Sequence, residues 1–160
     1  MEIVKTVILD RKEKQQVFDL WNSEYPINLG FTKVLDMDNY LNMLPNLMYY
    51  LLKDDKKQLK GWAMTFSSGT EIWFAITVST NVQRRGFGTL LLHTLKNEND
   101  LLNGWVIDHE NDYKRNGQIY QSPLPFYKKN EFTILSEYRL ELPVLSAVKI
   151  TWNKKNQPLT

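Results

Sequence analysis

One stretch of this sequence constrains the fold more than any other. Glu71 to Val78 is a β-branched and aromatic run, a polar loop follows, and then comes Gln83-Arg84-Arg85-Gly86-Phe87-Gly88-Thr89. After it, Phe87, Leu90, Leu91 and Leu95 recur on one face of a 3.6-residue period. Strand, loop and helix in that order set a helix N-terminus beside a strand's carboxyl end. The first N–H groups of a helix lack partners and carry the positive end of its dipole, so they suit an anion. Gly86 and Gly88 let backbone approach a ligand, and Arg84 and Arg85 add positive charge. A diphosphate fits such a cradle, although a bare Gly-x-Gly also occurs in ordinary strand-to-helix turns. Two other phosphate loops are excluded. Gly88 is followed by Thr89 with no lysine between them, and Leu91 stands where the dinucleotide fingerprint needs a third small residue.

The bulk numbers fit one domain. At 160 residues and 42% hydrophobic composition the chain can bury a core. Its 20 basic and 18 acidic residues leave a net charge of +2, without the excess that nucleic acid or an anionic membrane calls for. There is no cysteine, which removes disulfides, thiolate metal sites and a cysteine nucleophile, and two histidines make a poor metal site. Met1 to Lys5 opens no apolar run of signal length, so the expectation is a cytoplasmic protein without metal. A single domain is expected over residues 1–152, with a polar, frayed tail over 153–160.

The remaining elements follow from pattern. Ile3–Leu9 reads as a strand, and Asp10 with Glu13 as a capping box opening a helix whose inner face carries Val17, Leu20 and Trp21. A short helix is expected from Asp38 towards Leu44, ended by Pro45. Strands are expected at Leu47–Leu52, Leu59–Phe66 and Glu71–Val78, joined by short turns that favour antiparallel neighbours. Gly104–Asp108 reads as a buried strand, His109–Gln121 as a long loop, and Ser122 as the cap of a short helix with Pro123 at its first position. Phe132–Leu135 and Ala147–Trp152 close the sheet. The predicted fold class is α/β (α+β): a mixed, mostly antiparallel central sheet flanked by helices.

The cradle segment fits the Gln/Arg-x-x-Gly-x-Gly/Ala motif of the GNAT superfamily, and Pro125-Phe126-Tyr127-Lys128-Lys129-Asn130-Glu131-Phe132 is similar to that family's Phe-Tyr-x-x-x-Gly-Phe signature. With the order of elements, the resemblance spans nearly the whole chain. It departs at Glu131, where the family has glycine, and in the long loop from Asp108 to Tyr127, which holds Tyr113, Lys114, Arg115 and Tyr120.

The resemblance implies a GNAT acyl-CoA N-acyltransferase fold and acetyl transfer from acetyl-CoA to a primary amine of a small molecule or peptide. By it, amides over Gln83, Arg84, Arg85, Gly86, Phe87, Gly88 and Thr89 hold the pyrophosphate. Ile76 to Val78 pair with the pantetheine arm, and the Val78 amide faces the developing oxyanion. Tyr127 matches the tyrosine that protonates the departing thiolate. Glu71 resembles a strand-borne general base, but lies one residue farther from Gln83 than in histone acetyltransferases. One residue flips a strand side chain to the other face unless a bulge restores it, so an exposed strand-edge glutamate is an equal reading. Asp108, His109 and Glu110 follow the next strand, near where the amine should arrive, whereas His93 on the helix reads as structural. Tyr25, Phe31, Tyr40, Tyr49 and Tyr50 could line an acceptor pocket or fill the core. A catalytically silent acyl-CoA-binding sensor is the alternative function, and a homodimer is compatible with either.

Overall fold

The structure, a computed structural model, describes residues 1–158. Seven strands form one sheet: β1 (Glu2–Thr6), β2 (Met48–Lys53), β3 (Leu59–Ser68), β4 (Glu71–Val78), β5 (Leu101–Val106), β6 (Thr133–Leu142) and β7 (Leu145–Asn153), in the order β1-β2-β3-β4-β5-β7-β6. Every neighbouring pair is antiparallel except β4 and β5. The helices are α1 (Arg11–Glu24), α2 (Val34–Asn42), α3 (Phe87–Glu98) and α4 (Leu124–Lys129). The mixed, mostly antiparallel sheet with helices on both faces is the predicted class.

Strand alternation builds two cores. Tyr49, Leu51, Trp62 and Met64 join Val17, Leu20 and Trp21 of α1 and Met37 and Leu41 of α2 on one face. Tyr50, Leu52, Ala63, Phe74, Leu102 and Ile150 meet Leu91, Leu92 and Leu95 of α3 and Tyr127 of α4 on the other. The buried stripe of α3 is thus rotated from the expected one, with Leu90 44% exposed and Leu92 buried. Asp10 and Glu13 make the reciprocal capping box at the start of α1, at 2.8 and 2.9 Å.

Several boundaries differ from expectation. α2 begins a turn earlier than Asp38, because Met37 and Leu41, four apart, form its buried stripe. β5 begins at Leu101, and Gly104 lies inside it. A Cβ at Gly104 would stand 3.0 Å from the Phe74 ring, so glycine here serves close packing rather than a strand start. β6 runs on to Leu142 past a register shift between Leu135 and Arg139. Its exposed residues suit an edge strand, and the alternation of Tyr138, Leu140 and Leu142 with Arg139 and Glu141 was an overlooked signal of its second half. Pro123 occupies the cap of α4 rather than its first turn position, with the Ser122 hydroxyl accepting from the Leu124 N–H. The expected tail is also shorter than predicted. Asn153 ends β7 and caps a 3-10 turn at Lys154–Asn156, and Gln157 donates back to the Asn153 carbonyl. Residues 159 and 160 of that tail lie outside the described residues.

Candidate active site

The site begins where two parallel strands part. β4 and β5 share the single register pair Trp73↔Asn103, while β4 pairs with β3 along its whole length, from Ser68↔Glu71 to Gly61↔Val78. The Ser79 N–H donates to the Lys60 carbonyl at 2.8 Å, which fixes the phase of the β3–β4 ladder. The amides of Ile76 and Val78 therefore point away from β3, into the gap that β5 leaves. Asn103, 2% exposed, sits at the fork and donates to the Ile72 carbonyl at 3.3 Å. Sequence reasoning missed it, although a polar residue inside a buried strand was a signal.

The loop beyond Val78 aims a helix N-terminus at the same gap. The Gln83 side chain donates to the Val78 carbonyl at 2.8 Å, pinning loop to strand end. Its own N–H is turned to the Thr80 carbonyl, so the free run of backbone donors begins after Gln83. Arg84 (φ 60°) and Gly86 (φ 84°) both take the left-handed conformation. Gly86 is the N-cap of α3 and has no side chain to offer, so the amides of Phe87, Gly88 and Thr89 have no intrahelical acceptor. The Arg85 guanidinium stacks 5.5 Å from the Phe87 ring centroid. Gly88 has another duty than expected. A Cβ there would lie 3.1 Å from the Phe126 ring, so its smallness lets α4 lie against α3.

Phe126 sets the neighbouring Tyr127, with ring centroids 5.1 Å apart, and Phe74 and Phe132 complete its aromatic shell. The end of α4 holds Tyr127 from its backbone. The Phe132 N–H donates to the Tyr127 carbonyl and the Glu131 N–H to that of Lys128, both at 3.1 Å, as in a Schellman cap. Glu131 therefore takes φ 70°, so the backbone shape remains where the family's glycine is missing. Lys96 of α3 adds a 2.6 Å bond to the Asn130 carbonyl.

Tyr127 is buried at 6% exposure, and its phenol is pushed well above its usual range by burial, with Tyr25 and Tyr120 adding to the push. Tyr25 comes from the end of α1, beside Thr77, and Tyr120 from the long loop. Tyr25 and Tyr120, from two other segments, thus lie near the Tyr127 phenol.

The other candidates are placed elsewhere. Glu71 opens β4, seven residues from Val78 and roughly 23 Å along the strand, and pairs with Lys149 at 3.3 Å. The structure does not bring it to Tyr127. Asp108 is held by two bonds from Arg139, at 2.8 and 3.0 Å, which set its carboxyl below the usual range. The His109 ring accepts from the Asn111 N–H and faces Asp112 at 3.9 Å. Phe31 and Tyr40 pack around Trp21, Tyr49 stacks near Trp62, and Tyr50 reaches Glu98 on the opposite face. Among the described residues no three His, Asp or Glu side chains gather to hold a metal, and no helix is long and apolar enough to cross a membrane.

The stretch read as a loop is a folded arm. Tyr113 bridges to Ile119, Lys114 to Pro26, and Gly117 (φ 85°) makes the tip. Glu24 binds it to the cradle, accepting from the Thr80 N–H (3.0 Å), the Thr80 hydroxyl (2.7 Å) and Lys114 (3.1 Å). No sequence pattern flagged Glu24, because its three contacts come from residues 56 and 90 positions away.

No family model and no curated relative matches this sequence. Solved structures do. An aminoglycoside 6'-N-acetyltransferase complexed with coenzyme A is similar at TM-score 0.74 and 14% identity over 99% of both chains. The aminoglycoside 6'-N-acetyltransferase from Enterococcus faecium is similar at 0.68 and 16% over 99% of both. An acetyltransferase of the GNAT family from Staphylococcus aureus Mu50 is similar at 0.65 and 12%, over 96% of this chain and 99% of that one. At such identities the likeness is one of architecture, and with the splayed strand pair and the uncapped helix behind it, the chain has the fold of the GNAT acetyltransferases.

Proposed function

We propose that this chain is an N-acetyltransferase of the GNAT superfamily, moving the acetyl group of acetyl-CoA to a primary amine of a small molecule or peptide within a ternary complex. One observation supports the reading: the free edge of β4 opens beside the unpartnered amides at the start of α3, and Tyr127 packs against Phe74 of the same strand. The residues fit the co-substrate. The amides from Arg84 to Thr89 and the two arginines suit a pyrophosphate, and the free amides of Ile76 and Val78 suit a pantetheine amide chain.

In this reading the β4 edge amides also stabilise charge on the thioester oxygen as the amine attacks. A C–N bond forms, the C–S bond breaks, and the amine loses a proton. Tyr127 holds its proton toward the departing sulfur. Its raised pKa keeps it a donor at neutral pH, and the apolar walls that raise the phenol also raise the thiol it must protonate. No candidate carboxylate reaches this point, so the amine gives its proton to solvent. The same cradle would serve a silent acyl-CoA sensor, but a buried phenol beside β4 at the place the motif gives the acid favours catalysis.

Calorimetry with millimolar acetyl-CoA, and thiol release on adding amines, test the proposal. Binding with a raised Tm is expected, as for any ligand selective for the folded state. Absence of binding ends the proposal, and binding without thiol release for any amine leaves the sensor.

A further inference from the structure

We infer that the acceptor is an amine that also bears a carboxylate, and that Arg115 recognises that carboxylate. The inference rests on the acetyl-transfer reading and names its second substrate. A cleft of about 560 Å³ lies at the carboxyl end of β4, between the end of α1, the residues Ser79–Asn81 and the arm. α1 and α3 cover opposite faces of the sheet, and Ser23 and Glu24 set this cleft beside the end of α1. Its lining includes Ser79, the residue after Val78, so an acceptor seated there would lie next to the end of β4.

The charges of the cleft decide what it can hold. Glu24 is its lining carboxylate, and three donors already occupy it. Lys114 is spent on the same pair, with side-chain exposures of 12% and 11% for Lys114 and Glu24. Nearby Asp108 is committed to Arg139, and Asp112 faces His109. Arg115 has no carboxylate partner among the described residues, and its guanidinium rests over Gly30. A Cβ on Gly30 would stand 2.9 Å from its terminal nitrogen. Among the described lining residues the site therefore presents one uncompensated positive charge and no free carboxylate, along with the neutral polar side chains of Asn81 and Gln118. A polyamine or aminoglycoside would bring several ammonium groups to a cleft with no carboxylate left to receive them. An amine with a carboxylate leaves one ammonium to become the nucleophile and gives the planar guanidinium its matching planar anion.

Initial-rate kinetics on matched acceptors test this. Amino acids and dipeptides would be compared with their C-terminal carboxamides, and with spermidine and kanamycin. The carboxylate form is expected to exceed its carboxamide in kcat/KM by roughly 10- to 100-fold, the scale of a charge-assisted pair. Most of that difference should lie in KM. Arg115→Ala should bring the ratio close to one, and Arg115→Lys should restore part of it. Acetyl-CoA affinity of both variants, measured by calorimetry, should match the parent. Equal rates on carboxylate and carboxamide, preference for the polycations, or no transfer to any carboxylate-bearing amine would overturn the inference while leaving acetyl transfer intact. A fall in acetyl-CoA affinity in Arg115→Ala would also overturn it, by giving Arg115 to the co-substrate. Failure of the parent to bind acetyl-CoA at all would instead sink the reading beneath it.

Discussion

The two edges of β4 behave differently. Toward β3 the strand is paired from Glu71 to Val78, and toward β5 it is paired at Trp73 alone. Both neighbours contribute apolar side chains to the same buried cores, with Ala63 on one side and Leu102 on the other. The difference lies in backbone. The closed edge satisfies its amides and has no further chemistry to offer. The open edge keeps amides free, and the loop that follows it leads to the uncapped N-terminus of α3, while Glu24 ties the arm to that loop at Thr80. A sheet of this kind binds where pairing stops, because a buried backbone group without a partner favours a ligand that supplies one.

If that contrast is right, changes where β4 is open, toward Val78, should alter chemistry, and changes at its other end, where Glu71 begins the strand beside the Trp73 pair, should not. Tyr127→Phe should show the largest effect. It removes one oxygen and keeps the ring among Phe74, Phe126 and Phe132. The turnover number should fall by roughly 10²–10⁴-fold, with kcat/KM falling alongside and acetyl-CoA affinity unchanged. The parent enzyme should show no loss of kcat from this phenol between pH 7 and 10, since burial holds it protonated beyond its ordinary range. Steady-state kinetics across pH decide both points, and near-normal turnover in the variant would make Tyr127 a packing residue.

Gly88→Val comes next. Its Cβ would meet the Phe126 ring at 3.1 Å. Overpacking of this sort costs about 1–3 kcal/mol, so Tm should fall. Because Phe126 sets Tyr127, kcat should suffer more than acetyl-CoA affinity. Thermal melts with calorimetry check this, and loss of affinity at unchanged Tm would show that Gly88 serves phosphate after all.

Glu131→Gly should stabilise. Glu131 sits at φ 70° in the C-cap of α4, where glycine avoids a cost of about 1 kcal/mol. Loss of its 3.9 Å contact with Lys96 offsets little. A rise in urea midpoint with kcat unchanged is expected, and a fall would show that the Lys96 contact outweighs the backbone.

The smallest effect should be at that other end of β4. Glu71→Gln removes an ion pair whose carboxylate side chain is 41% exposed, worth under about 1 kcal/mol. Turnover should stay within about twofold, below the range of a lost general base. A large loss of kcat would return Glu71 to the chemistry and break the contrast between the two ends of β4.

Much of this was legible beforehand because it is local. The capping box of α1, the three central strands and the loop that opens α3 each depend on residues a few positions apart. Tyr127 was legible through its neighbours Phe126 and Phe132. The departures came from distance. Glu71 sits in a strand of the right kind, but only the sheet shows it at the far end from the gap. Gly88 has a second reason to be small that only the fold shows, a ring 38 positions later that fills the space above it.

The sequence by itself determined most of the strands and helices, that a helix would follow β4 after a glycine-containing segment, and that a phenol would stand in the short helix after the long loop. Periodicity and cap chemistry are short-range, and a single chain displays them in full. Tertiary structure alone decided that β4 and β5 part after one pair, that Glu24 joins the arm to the loop at Thr80, and that Arg115 has no carboxylate partner among the described residues. Those outcomes depend on which groups meet across 30 to 90 residues, where backbone pairing and charge compensation are settled by the whole fold rather than by any one segment.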